Sequence, residues 1–157
     1  GVAARLYQTF EDEIACGTVG RRRFKVGRHG CVEGIARVLL IHHFCHTLQG
    51  FIDLIFERGG RWYVADYKSS RLQRYHPAAL NRVMLDAHYL LQARLYLLAL
   101  HRHLRSTLAD YDPERHLGGV AYLFVRGFPG QGLWLDRPHS EDLNRLDALF
   151  HRPDLCS

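Results

Sequence analysis

Two aspartates and a lysine stand close together in this sequence, at Asp53, Asp66 and Lys68. Each lies in an apolar run, Q-G-F-I-D-L-I-F (49–56) or R-W-Y-V-A-D-Y-K (61–68). Both runs are rich in β-branched and aromatic residues and read as strands. Glu57-Arg58-Gly59-Gly60 between them reads as a turn, with the two glycines supplying the positive φ values of a tight hairpin. With a two-residue loop, Arg58 pairs with Arg61, and counting back sets Asp53 directly opposite Asp66. A four-residue loop moves Asp66 two residues off and keeps both on one face. Directly opposed side chains have Cβ atoms roughly 4.5–5.5 Å apart. Two carboxylates at that separation in poor solvent need a shared proton or a cation. Such an all-oxygen site suits Mg²⁺, which takes one or two carboxylates and fills its shell with waters and phosphate oxygens. Lys68, two residues beyond Asp66, points to the same face. An ammonium there can orient an attacking water or stabilise charge in a phosphoryl transition state. The Tyr67 side chain points to the other face, yet its carbonyl lies at the metal edge as a further oxygen ligand. The expected catalytic group is therefore Asp53, Asp66 and Lys68, with Asp53, Asp66 and Tyr67 on Mg²⁺. The bland alternative is a set of strand carboxylates paired with arginines on a solvated face.

These residues need elements to hold them. Pro77 to Leu108 reads as one long helix, with Pro77 in its first turn and Leu80, Met84, Ala87, Leu91, Leu95 and Leu98 as an apolar stripe. Gln92 and Tyr96 fall one turn apart on its side, on a face with Leu85 and His88 or Tyr89. Either they reach a phosphate or the lysine, or Tyr96 is core packing with a satisfied hydroxyl. Residues 3–15 read as a short helix, 17–34 as an irregular basic segment, and Val38 to Phe44 as a strand. Asp110 to Gly119 reads as a polar loop, followed by a buried strand at Val120 to Val125 and a further one at Gly132 to Leu135. Ser140 reads as the N-cap of a last helix reaching Phe150. The order predicts an α/β sandwich with a central mixed sheet flanked by helices.

The 157 residues suffice for one domain with a real core. A net charge of +5 makes a polyanionic partner plausible without naming it. Of 21 basic residues only Lys25 and Lys68 are lysines, and lysine, unlike arginine, can shift its pKa and take part in chemistry. Arg21-Arg22-Arg23 with Lys25 and Arg28 either track a phosphate backbone or form a solvated loop. Cys16, Cys31, Cys45 and Cys156 show no C-x-x-C spacing, which argues against a zinc ribbon or iron–sulfur cluster. Along a strand, His42 and His46 fall on one face and His43 and Cys45 on the other, a poor geometry for one tetrahedral zinc. No run is apolar enough for a membrane span and no signal core is present, so a cytoplasmic protein with reduced thiols is expected. The first residue is Gly1 rather than Met, which suggests a processed chain or a piece of a longer one.

At this point a resemblance enters. G-F-I-D-L-I-F (50–56), V-A-D-Y-K-S (64–69), Q-A-R-L-Y-L-L-A-L-H-R (92–102), A-D-Y-D (109–112), G-G-V-A-Y-L-F-V-R-G (118–127) and R-P (137–138) resemble the RecB family of nuclease domains. Those domains serve bacterial RecBCD-type helicase–nucleases (exodeoxyribonuclease V) and have the PD-(D/E)XK, restriction-endonuclease-like fold. The resemblance covers residues 49–150. It implies one nuclease domain over 1–157, belonging to a larger helicase–nuclease subunit that acts on DNA with Mg²⁺ in repair and recombination beside other RecBCD-type subunits. By motif position it implies metal-binding roles for Asp53, Asp66 and the Tyr67 carbonyl, the catalytic lysine for Lys68, and the DNA-side Q-x-x-x-Y pair for Gln92 and Tyr96. The family's upstream histidine ligand has no clear match. Tyr7 stands in its place in L-Y-Q-T-F-E-D (6–12), and Glu11, Glu13, His42, His43 and His46 remain as substitutes. That gap keeps a second expectation open: a catalytically impaired nuclease-fold module serving DNA binding or subunit assembly. No G-x-x-x-x-G-K-[ST] motif is present, so no ATPase motor is expected in these residues.

Overall fold

Gly59 and Gly60 take φ values of +61° and +76°, and they close the two-residue hairpin on which the register of the sheet turns. The computed structural model describes residues 31–32, 36–42 and 47–150, with side chains from residue 52 onward. The strands are β1 (Cys31–Val32), β2 (Ala36–His42), β3 (Thr47–Ile52), β4 (Leu54–Arg58), β5 (Arg61–Lys68), β6 (Leu117–Phe124) and β7 (Leu133–Asp136). The helices are α1 (Pro77–Asp86), α2 (Tyr89–Thr107), α3 (Pro113–His116) and α4 (Ser140–Leu149). Five strands form one sheet in the order β1-β4-β5-β6-β7, and β2 and β3 form a separate antiparallel pair. Within the large sheet β5 and β6 run parallel and the other neighbours antiparallel. A parallel pair needs a long crossover, which α1 and α2 provide. The fold is the expected α/β arrangement with a mixed sheet.

Five local expectations change. The strand expected at 49–56 breaks at Asp53, because β3 turns away to pair with β2, from Ala36 opposite Ile52 to His42 opposite Thr47. The helix expected over 77–108 is two helices, split where His88 takes φ +56°. The split rotates the apolar stripe: Leu80, Met84 and Leu98 are buried, while Ala87 and Leu91 are exposed. The loop expected at 110–119 holds the short helix α3 and the start of β6. Ser140 is the first residue of α4 rather than its cap; His139 stands at the cap, and Ser140 N–H donates to Glu114 Oε1 at 3.4 Å. The two-residue strand β1 also lies inside the segment expected to be irregular. The helix expected at 3–15 and the basic cluster at 21–28 lie outside the described residues.

Strand alternation divides the core. Ile52, Val64, Val120, Tyr122 and Phe124 face the helices and meet Leu80, Met84, Ala93, Leu97 and Leu100. Leu54, Phe56, Tyr63, Ala65, Ala121 and Leu123 form a second cluster on the opposite face. Asp147 of α4 is buried and clamped to α2 by Arg102 Nε at 2.5 Å and Arg105 Nη1 at 3.3 Å. Arg94 ties α2 to β7 through Asp136 at 2.8 Å. The helix that carries Gln92 and Tyr96 is thus fixed to the sheet at several points.

Gly118 shows how tight the second face is. A Cβ there would run into the ring of Tyr63, which is itself stacked on Phe56 with centroids 5.1 Å apart. Overpacking of this kind costs about 1–3 kcal/mol. Gly118→Ala is therefore expected to lower the melting temperature by several degrees, roughly 2–4 °C per kcal/mol at this size. Thermal unfolding followed by circular dichroism checks it, and an unchanged midpoint would show that the Tyr63 ring yields freely.

Candidate active site

The β4–β5 ladder ends with Leu54 opposite Ala65, so Asp66, Tyr67 and Lys68 run on beyond their neighbour on that edge. On the other edge they stay paired with β6, opposite Tyr122, Leu123 and Phe124. Asp53, just outside the ladder, fills the exposed edge with its side chain: Asp53 Oδ2 accepts the Tyr67 N–H at 3.0 Å. A strand residue sends its own N–H and C=O to the same edge, so the Tyr67 carbonyl also faces the Asp53 side. The Tyr67 ring packs on the opposite face with the second cluster. The expected direct cross-strand opposition of Asp53 and Asp66 is replaced by this side-chain bridge, because the chain bends at Asp53. The two carboxylates also differ in setting: Asp53 is exposed and Asp66 buried.

Strand periodicity brings Asp66 and Lys68 together on the helix side, with Lys68 Nζ 2.6 Å from Asp66 Oδ2. That contact is an ion pair; among the described residues no well-directed hydrogen bond reaches this oxygen. Burial pushes the Asp66 carboxyl above its ordinary range and the nearby Asp53 charge adds to this, while the Lys68 ammonium pulls it back. Lys68 also donates to Gln92 Oε1 at 3.1 Å. Its ammonium stands 4.2 Å from the centroid of the Tyr89 ring and 5.1 Å from that of Tyr122. Gln92 Nε2 donates to the Tyr96 hydroxyl at 2.9 Å, and the Tyr122 hydroxyl donates to Gln92 Oε1 at 2.8 Å. Burial, followed by the Asp66 charge, pushes the Tyr96 hydroxyl up to about 12 and the Tyr122 hydroxyl higher still. Both keep their protons at any neutral pH.

The donor set is hard oxygen: two carboxylates and a main-chain carbonyl. Among the described residues no three His, Cys, Asp or Glu side chains gather as metal ligands. Mg²⁺ needs no such cage and completes its shell from water and phosphate, so this edge fits that ion. Sequence comparison agrees with this chemistry, since residues 4–151 match the PD-(D/E)XK nuclease superfamily. The chain belongs to that superfamily.

Within this nuclease superfamily the chain is similar to the RecBCD enzyme subunit RecB of several bacteria. It is 46% identical over 111 residues to the Escherichia coli protein, covering 66% of this chain and 9% of that one. It is 38% identical over 143 residues to the Haemophilus influenzae protein, covering 80% and 12%. It is 48% identical over 88 residues to a Mycobacterium tuberculosis protein, covering 53% and 8%. The chain therefore spans a small part of the length of these relatives.

The structure brings Asp66, Lys68, Gln92 and Tyr96 into one connected group, with Asp53 and the Tyr67 main chain on the adjoining edge. Two members were not foreseen as a pair: Tyr89 and Tyr122, whose rings stack with centroids 5.8 Å apart beside Lys68. The signal for Tyr122 was a hydroxyl inside the otherwise apolar V-A-Y-L-F-V run. Arg126 Nε donates to the Ser69 carbonyl at 2.8 Å. Tyr7, Glu11, Glu13, His43, His46 and the His42 side chain lie outside the described residues.

The Asp66–Lys68 pair yields a titration prediction. A carboxyl raised on folding contributes stability that is fully present below its ordinary pKa and lost as the pH climbs through the raised value. Lys68→Met keeps the apolar stem and removes the charge that opposes this rise. The Asp66 carboxyl should then titrate at still higher pH, and the loss of stability should extend further upward. Carboxyl-carbon NMR titration of both proteins reads this, and an Asp66 pKa unchanged or lowered in the variant contradicts the arrangement.

Proposed function

We propose that this chain is a Mg²⁺-dependent deoxyribonuclease domain that hydrolyses phosphodiester bonds. It would form a single nuclease domain within a RecB-like helicase–nuclease subunit. Its setting would be a cytoplasmic RecBCD-type complex acting in DNA repair and recombination beside the other subunits. The observation that carries the reading is the junction of two environments at the end of β5. One side is a hard-oxygen edge, and the other is a lysine fixed by a carboxylate, an amide oxygen and two aromatic rings. Similarity to RecB proteins supports the DNA substrate and the assembly. Among the described residues no helix is long and apolar enough to cross a membrane.

Asp53, Asp66 and the Tyr67 carbonyl would hold the cation, which when bound polarises the phosphate and makes a water acidic enough to attack. Lys68 acts on the other side of Asp66. Its ammonium donates to the incoming water or to a phosphate oxygen as negative charge develops, and the fixed position spares reorganisation at that moment. Gln92 keeps that ammonium pointed along the strand, and Tyr96 keeps Gln92 in place. The exposed position of Asp53 leaves the oxygen edge open to a polyanion, while the buried Asp66 and the partly buried Lys68 form its floor.

Digestion of linear and circular single-stranded DNA tests this. Cutting is expected with Mg²⁺ and not with EDTA. Asp66→Ala and Lys68→Ala are each expected to reduce the rate by about 10²-fold or more, the scale of losing a preorganised charge-stabilising group. A fully active Asp66→Ala protein would sink the assignment. A folded protein that binds DNA with no metal requirement and never cuts would favour the impaired-module reading.

A further inference from the structure

Gln92 carries an amide whose two ends look alike in size and differ in chemistry: the oxygen accepts and the nitrogen donates. Lys68 has only donors, so it can be met productively by Oε1 alone. A half-turn of the amide would set N–H groups against the ammonium. Something must decide between these orientations, and three contacts bear on it. Lys68 Nζ donates to Oε1 at 3.1 Å. The Tyr96 hydroxyl receives Nε2 at 2.9 Å, but a hydroxyl can accept or donate and would tolerate either end. The Tyr122 hydroxyl donates to Oε1 at 2.8 Å; among the described residues this buried hydroxyl has no other acceptor, so a half-turn of the amide would leave its proton unpaired.

Tyr122 is well placed to set that choice. It is fully buried on β6, directly opposite Asp66 in the parallel register. Its ring is held on two sides, stacked on Tyr89 and edge-on to Trp134 at 5.9 Å. Trp134 is tethered in turn by Nε1 donating to Asn81 Oδ1 at 2.8 Å. The hydroxyl thus reaches the amide from a braced ring.

We propose that Tyr122 is a positioning residue for the cleavage reaction: its hydroxyl sets the Gln92 amide with Oε1 toward Lys68, and its ring, with that of Tyr89, forms the wall on which the ammonium rests. This builds on the nuclease reading for its rate consequence, and on geometry alone for the amide orientation.

The test compares the parent chain, Tyr122→Phe, Gln92→Glu and the double variant. Phenylalanine keeps the ring and removes only the hydroxyl. A glutamate in place of Gln92 presents two accepting oxygens, so no choice of orientation remains to be made. Tyr122→Phe is expected to slow single-turnover cleavage of saturating DNA with Mg²⁺ about tenfold, the worth of one hydrogen bond in a positioned group. DNA affinity measured without Mg²⁺ should stay within about twofold, since the ring and the fold are kept. In the Gln92→Glu background the same change should cost about twofold or less, the non-additivity of coupled neighbours. A parent-like rate in Tyr122→Phe, an equal loss in both backgrounds, or a loss confined to affinity overturns the proposal. An independent readout is the side-chain amide signal of Gln92 by NMR. It should be slow to exchange with solvent in the parent and fast in Tyr122→Phe, whether or not the chain cuts DNA. A chain that never cuts rejects the nuclease reading and leaves this signal to decide, and an amide equally protected in both proteins rejects the positioning role.

Discussion

A lysine ammonium withdrawn from most of its water must be repaid by contacts on every side, and the structure around Lys68 is arranged to do so. Its side chain is only 14% exposed. Asp66 supplies the countercharge, Gln92 an oxygen, and two tyrosine rings their negative faces. These partners come from β5, α2 and β6, so the crossover that makes β5 and β6 parallel is also what encloses the ammonium. Remove the crossover and Asp66 would keep its lysine, but the lysine would lose both the amide and the aromatic wall.

The oxygen edge follows from an interruption. An uninterrupted strand from 49 to 58 would have carried the ladder past Asp53 and covered the Tyr67 main chain with another backbone. The bend frees that edge, and Asp53 meets it with a carboxylate instead. The same break sends β3 to β2. A separation between a buried carboxylate with its lysine and an exposed carboxylate with main-chain oxygen is the result, and it allows neighbouring acidic groups to have unlike surroundings.

The hairpin was legible because its signals are local: two glycines at the turn, alternation along the strands, and a two-residue step from Asp66 to Lys68. Gln92 and Tyr96 were legible as a one-turn pair for the same reason. The break at Asp53 was not, since no glycine or proline marks it and it depends on β3 pairing back onto β2 instead of continuing into β4. Nor was the helix break. Neither Ala87 nor His88 is a glycine or proline, and a left-handed histidine is a choice imposed by the fold rather than by propensity. Tyr122 needed the parallel register before its hydroxyl could be placed over Gln92.

The residues of the hairpin leave a ribosome well before the ones that complete the group around Lys68. Asp53, Asp66 and Lys68 all lie within one two-stranded unit, and an isolated hairpin is marginal in water. Tyr89 and Gln92 follow later, and Tyr122 only when β6 has emerged and docked alongside β5. A nascent chain therefore holds the acidic residues and the lysine long before it holds them in order. The group around Lys68 is therefore complete only once β6 has docked alongside β5.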